Sequence, residues 1–183
     1  MKSAYYIAAA FAVGTLPSAA FAQDATAAEV TVGATAGYHD LGIADEVYDL
    51  TGVTVDDGSP IFGGFASVDF PASSNVFVGV EGNFNIVIDA LDSDYGASAR
   101  VGYRTDNGTK IYARGGYQWV EVDYAQMLNV DKSAIPAGLD DTFSDYLVGA
   151  GVDVPMGKAV IRVNVDTISF DTLRATAGVG FKF

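Results

Sequence analysis

In eight stretches of this chain apolar residues recur at every second position, the spacing of a strand with one apolar face. Val30, Val32, Ala34, Ala36 and Tyr38 alternate with Thr31, Gly33, Thr35 and Gly37. Phe62, Gly64, Ala66, Val68 and Phe70 stand against Gly63, Ser67 and Asp69. Val76, Val78, Val80, Gly82 and Phe84 stand against Gly79, Glu81 and Asn83. Tyr95, Ala97, Ala99, Val101 and Tyr103 face away from Ser98, Arg100 and Gly102. The second half repeats the design in the segments that begin at Ile111, Tyr146, Ala159 and Leu173, the last ending at Phe183. Eight strands are predicted. The 21 glycines argue against helices, and beyond the N-terminus no apolar run reaches the roughly 18 residues of a helical span.

The connections predict how the strands are joined. Three are tight and rich in Gly, Pro or Asn: "PASSN" between strands two and three, "TDNGT" between four and five, "PMGK" between six and seven. The others fall at the opposite end and include two long ones, 40–59 and 123–142. Tight turns at one end and longer loops at the other fit an up-and-down antiparallel barrel that crosses a membrane.

The chemistry of the two files says which faces out. The apolar file carries no Asp, Glu, Lys or Arg. The other holds Asp69, Glu81, Arg100, Arg104, Arg114, Asp145, Asp153, Arg162, Asp166, Arg174 and Lys182, interspersed with small residues. In a lipid-embedded barrel charge turns inward, since an Arg or Lys at the hydrocarbon midplane costs about 2–4 kcal/mol. The aromatics of the apolar file sort to its ends, as interfacial girdles do. Tyr38, Phe62, Phe84, Tyr95, Trp119 and Tyr146 lie toward the long loops; Phe70, Tyr103, Phe181 and Phe183 lie toward the tight turns.

Half of the 183 residues are apolar and the mean hydropathy is +0.24, yet the net charge is −13. Most of the negative charge collects in the long-loop segments, and that rim is expected to face outside the cell. So acidic a chain excludes nucleic acid as a partner, because phosphate binding needs a basic footprint. The absence of cysteine removes disulfides, thiolate metal sites and cysteine catalysis. At the N-terminus, Lys2, the apolar run Ala4 to Val13 and the triplet Ala20-Phe21-Ala22 have the order of a secretory signal peptide. The expected organisation is a signal peptide over 1–22 and one barrel domain over 23–183. With Lys2 removed, the net charge of the mature chain becomes −14.

The ending Thr176-x-Gly178-x-x-Phe181-x-Phe183 resembles the assembly signal of bacterial outer-membrane barrels, a polar residue and a glycine followed by two alternating aromatics. With the signal peptide and eight alternating strands, the chain resembles the small eight-stranded barrels of the opacity-protein and OmpA-like transmembrane class. The resemblance implies the outer membrane of a Gram-negative bacterium, contact with its lipid, and recognition of Phe181 and Phe183 by the insertion machinery. Nothing in the sequence follows Phe183, so the periplasmic domain of full OmpA-type proteins is not expected.

Within the barrel the inward charges form the most pointed constellation: Glu81, Arg100, Arg114, Arg162, Asp166 and Arg174. Glu81 is expected opposite Arg100, and Asp166 diagonal to Arg174 across the last hairpin. They are read as a packed polar plug, the alternative being an ion path. His39, the sole histidine, stands beside Asp40 and is read as an exposed girdle or loop residue. A lipid-modifying enzyme at the rim, built on it, is the rival reading. The pairs Asp56-Asp57 and Asp140-Asp141 suit divalent cations or basic surface partners, without the ligand spacing of a dedicated calcium loop. No cofactor, metal centre or catalytic group is expected. The resemblance points to a non-enzymatic protein acting through its loops in envelope integrity or adhesion, with a small porin-like channel as a further alternative.

Overall fold

The computed structural model describes residues 28–40, 58–87, 91–122 and 142–183; the side chains at 87, 91, 92, 122, 142 and 143 lie outside the description. The expected signal peptide, the long-loop segments and the two paired-aspartate motifs therefore fall outside the described residues.

Eight strands follow one another: β1 Glu29–Asp40, β2 Gly58–Pro71, β3 Val76–Val87, β4 Leu91–Arg104, β5 Lys110–Val122, β6 Thr142–Met156, β7 Ala159–Ile168 and β8 Thr172–Lys182. Each pairs antiparallel with the next, and β1 pairs with β8, so the sheet closes into a barrel. Closure satisfies both edges of every strand, the condition for a sheet to lie in hydrocarbon. The strands run beyond the segments in which alternation is evident, up to 15 residues in β6.

The tight turns use residues suited to them. Gly108 in the β4–β5 turn and Gly157 in the β6–β7 turn have φ of 82° and 67°, which glycine adopts without a Cβ penalty. The β7–β8 turn at the opposite end is different. Ser169 and Phe170 have φ of 59° and 65°, and the Asp171 N–H donates to the Ile168 carbonyl at 3.2 Å. Two successive positive φ values mark a type I′ turn, here without the usual Asn or Gly.

The faces separate as the alternation indicates. Val80, Val101, Ile111, Val163 and Val179 point outward and are about half exposed, while Arg100, Arg162 and Arg174 are buried inside. The interior is the charged face and the exterior the apolar one. That is the inside-out arrangement of a barrel sitting in hydrocarbon.

Not everything inside is polar. Phe65, Phe77, Tyr112 and Val160 are buried in the lumen, and Ile61, Val120, Leu147 and Ile168 form an apolar cluster across its long-loop end. Flat aromatic rings explain some of the glycines. A Cβ on Gly33 would lie 2.6 Å from the Phe65 ring, and one on Gly151 would lie 2.5 Å from Tyr112.

Candidate functional site

The lumen is filled by layers of ion pairs, because period-two strands send every second side chain inward and an eight-stranded ring leaves room only for those side chains. At the tight-turn end Lys110 of β5 crosses to β1 and β2, where its Nζ contacts Glu29 and lies 2.6 Å from Asp69. Arg104 Nη2 stands 3.6 Å from Glu29 at the same rim.

The middle layer centres on Glu81 of β3, on which three guanidinium groups converge. Arg100 Nη1 donates to its Oε2 at 2.8 Å, Arg162 Nη1 donates to the same oxygen, and Arg114 Nη1 donates to Oε1. Asp153 takes a two-pronged contact from Arg162, with Nε donating at 2.7 Å, and a further bond from Arg100 at 3.0 Å. Asp166 is held in the same two-pronged way by Arg114, whose Nε donates at 2.6 Å. Such paired bonds between ions are the strong ones. Aromatic faces complete the packing: the Arg162 guanidinium lies 3.9 Å from the Phe65 ring centre, and that of Arg100 lies 4.0 Å from Tyr112. The Tyr112 hydroxyl donates to Asn164 Oδ1 at 2.6 Å.

The layer nearest the long loops centres on Asp94 of β4. Arg174 Nη1 donates to both its oxygens at 3.1 and 3.2 Å, Gln118 Nε2 donates at 2.8 Å, and Asn85 Nδ2 donates as well. Above it lies the apolar cluster already described. Several ties span the barrel: Glu29–Lys110, Glu81–Arg162 and Asp94–Arg174 join strands four apart in the ring of eight. Among the described residues five buried carboxylates match five buried Lys and Arg side chains. One cavity, of about 10 Å³, lies between the middle and upper layers, bounded by Thr35, Asn83, Asn85, Arg114 and Arg174, with room for about one water molecule.

The structure refines several sequence expectations. Glu81 pairs in register with Ser98, and Arg100 reaches it diagonally; Asp166 faces Arg174 directly, at 3.4 Å. Asp94, expected in a loop, and Lys110, assigned to a turn, both lie inside, because β4 and β5 are longer than their alternating segments suggest. His39 is a correction: only 1% of it is exposed, since it falls on the inward parity of β1, with Nδ1 3.9 Å from Asp94. Ser59 stands directly across from it on β2. These are the residue types of a hydrolytic triad, but the His39–Asp94 separation exceeds a hydrogen bond, Asp94 is already bonded by Arg174, Gln118 and Asn85, and both His39 and Ser59 are buried.

Of the residues expected to form the girdles, Tyr38, Phe62, Phe70, Tyr95, Tyr103, Tyr146, Phe181 and Phe183 are exposed on the outer face, and Phe84 and Trp119 are partly exposed there. Tyr117 joins them, edge-on to Trp119 at 5.1 Å, while Tyr95 stacks on Trp119 at 5.7 Å. In the terminal strand Thr176 is buried inward, and Gly178 lies so close to β1 that a Cβ would meet the Ala34 carbonyl at 2.3 Å. The Phe183 N–H donates to Val30 O at 2.9 Å.

No family model matches the sequence, and no curated protein matches it. Solved structures do resemble it. The N-terminal β-barrel domain of Pseudomonas aeruginosa OprF is similar with a TM-score of 0.54 at 14% identity, over 86% of this chain and 98% of that one. Ail, the attachment invasion locus protein of Yersinia pestis, in complex with the heparin analogue sucrose octasulfate, gives 0.51 at 16% identity over 85% and 97%. Neisserial surface protein A gives 0.50 at 16% identity, again over 85% and 97%. The chain has the closed eight-stranded antiparallel fold of the small outer-membrane β-barrels of the OmpA-like and opacity class.

Proposed function

We propose that this chain is a non-enzymatic outer-membrane barrel of a Gram-negative bacterium, with a side-chain-filled lumen, that works through its acidic surface loops in envelope integrity or adhesion. The observation that carries this reading is the charge-balanced interior: among the described residues five buried carboxylates stand against five buried cations. A lumen so filled leaves the surface loops to act. The sealed His39, Ser59 and Asp94 weigh against the rival lipid-modifying enzyme, and the plug weighs against the rival channel.

Loop chemistry supports a basic partner or a surface bridged by divalent cations. Asp45, Glu46, Asp49, Asp56 and Asp57 crowd the first long segment, and Asp123, Asp131, Asp140 and Asp141 outnumber Lys132 in the other. Ail was solved with a polysulfated sugar, a polyanion. Loops this acidic repel such a ligand and suit the opposite charge. The test is adhesion of proteoliposomes carrying the protein to cationic and to heparin-coated surfaces. Retention on the cationic surface, lost when the five acids of the first segment become Asn or Gln, supports the proposal. Equal retention by the substituted protein defeats it.

A further inference from the structure

β1 and β8 close the barrel, and the inner wall along that seam is bare. Its middle inward rows pair Gly33 with Gly180, Thr35 with Gly178 and Gly37 with Thr176, so nothing larger than threonine stands there. Every other strand pairing has a larger side chain in its middle rows, among them Phe65 across from Gly33 and Arg162 across from Gly178. The ion pairs of the two seam strands run to other strands: Glu29 reaches Lys110 and Arg104, and Arg174 reaches Asp94 and Asp166. Along its middle the seam is held by its backbone ladder and by what its neighbours lay over it.

Those neighbours are β2 and β7. From β2 the buried Phe65 ring lies over both seam strands at once: a Cβ on Gly33 would stand 2.6 Å from it, and one on Gly180 2.9 Å. From β7 the Arg162 guanidinium lies 3.9 Å from the ring centre, held there by its bonds to Asp153 and Glu81. The stack bridges the two strands that flank the seam and touches both strands within it. Its contacts across the seam exist only while the ring of strands is closed. The β1–β8 pairing also joins the segments farthest apart in the chain, which carries the largest loop-closure entropy. We propose that the barrel opens and closes at the β1–β8 seam, and that Phe65, backed by Arg162, is the latch that sets how fast it opens. A contact present in the closed ring and lost on opening raises the barrier to opening.

The chain has no cysteine, so a disulfide can be placed at one pairing alone. Ala36 and Ala177 face outward in register across the seam, and Ala113 and Ala150 do so across β5 and β6. The folded protein in uncharged-detergent micelles is transferred to urea, and unfolding is followed by the emission of Trp119, the only tryptophan. Without a cross-link, Phe65→Leu should unfold about tenfold faster than the wild type. With Ala36→Cys and Ala177→Cys joined, the difference should vanish, because opening must then begin at a pairing the ring does not cover. With Ala113→Cys and Ala150→Cys joined, it should stay about tenfold. Phe65→Met keeps most of the volume and loses the flat face; it should show the same dependence and serves if Phe65→Leu does not fold. An unchanged unfolding rate without any cross-link, or a difference that the two cross-links alter equally, overturns the latch. A difference that survives the seam cross-link makes Phe65 ordinary core packing and overturns it as well.

Discussion

At Glu81 three guanidinium groups share two carboxylate oxygens, so the cost of removing that charge falls on three neighbours at once. Asp153 and Asp166 still hold the three arginines, but a Gln leaves them one neutral acceptor oxygen to share and turns an NH2 donor toward a guanidinium group. Glu81→Gln should lower unfolding stability in detergent by about 3–5 kcal/mol, the range for breaking a buried pair, measured by equilibrium denaturation. A cost under about 1 kcal/mol would place the pair in the class of exposed salt bridges and contradict a sealed interior. A second residue-scale test concerns Gly33, where any side chain meets both the Phe65 ring and the Val179 carbonyl. Gly33→Val should cost about 1–3 kcal/mol as overpacking, in the same denaturation experiment. Phe65→Leu in that background should recover part of the loss, because the ring is one of the obstructing groups.

Strands and turns were legible to different depths in the sequence. Alternation set the parity of all eight strands, because a one-residue slip would turn the charges of β7, Arg162 and Asp166, toward lipid. It did not set their ends. Asp94 and Lys110 lie where the apolar file fades into polar residues, so they read as loop and turn although both hold the lumen together. Phe65 and Tyr112 were hidden for the opposite reason: an aromatic on the polar file breaks the pattern, and only the glycines facing them reveal the space they need. The partners across the barrel, Asp94 with Arg174 and Glu81 with Arg162, are 80 and 81 residues apart and meet only on closure. Neighbouring strands were readable; opposite strands were not. The β7–β8 turn carries an element-scale prediction. Ser169 and Phe170 hold positive φ without being Asn or Gly, a strain of about 1–3 kcal/mol each. Replacing them by Asn-Gly should raise stability by about 1 kcal/mol, less than the full strain because the Phe170–Tyr146 ring contact is lost. Unchanged or reduced stability would mean that the aromatic contact outweighs the strain.

At the scale of the whole molecule, the apolar exterior and charge-balanced interior of the described residues define a barrel that lipid surrounds, and the plug proposed above closes it to ions. The closed strand ring and its cross-barrel ion pairs should resist SDS without heating, so the unheated protein should migrate ahead of the boiled one. The measurement that tests the sealed lumen most directly is the conductance of the purified barrel in planar lipid bilayers. The plug predicts no steady current for the wild-type protein across the voltage range the bilayer tolerates, at any salt concentration that leaves the barrel folded. A steady ohmic current that changes with Glu81→Gln would mean that ions pass through the layer centred on Glu81, and would contradict the account.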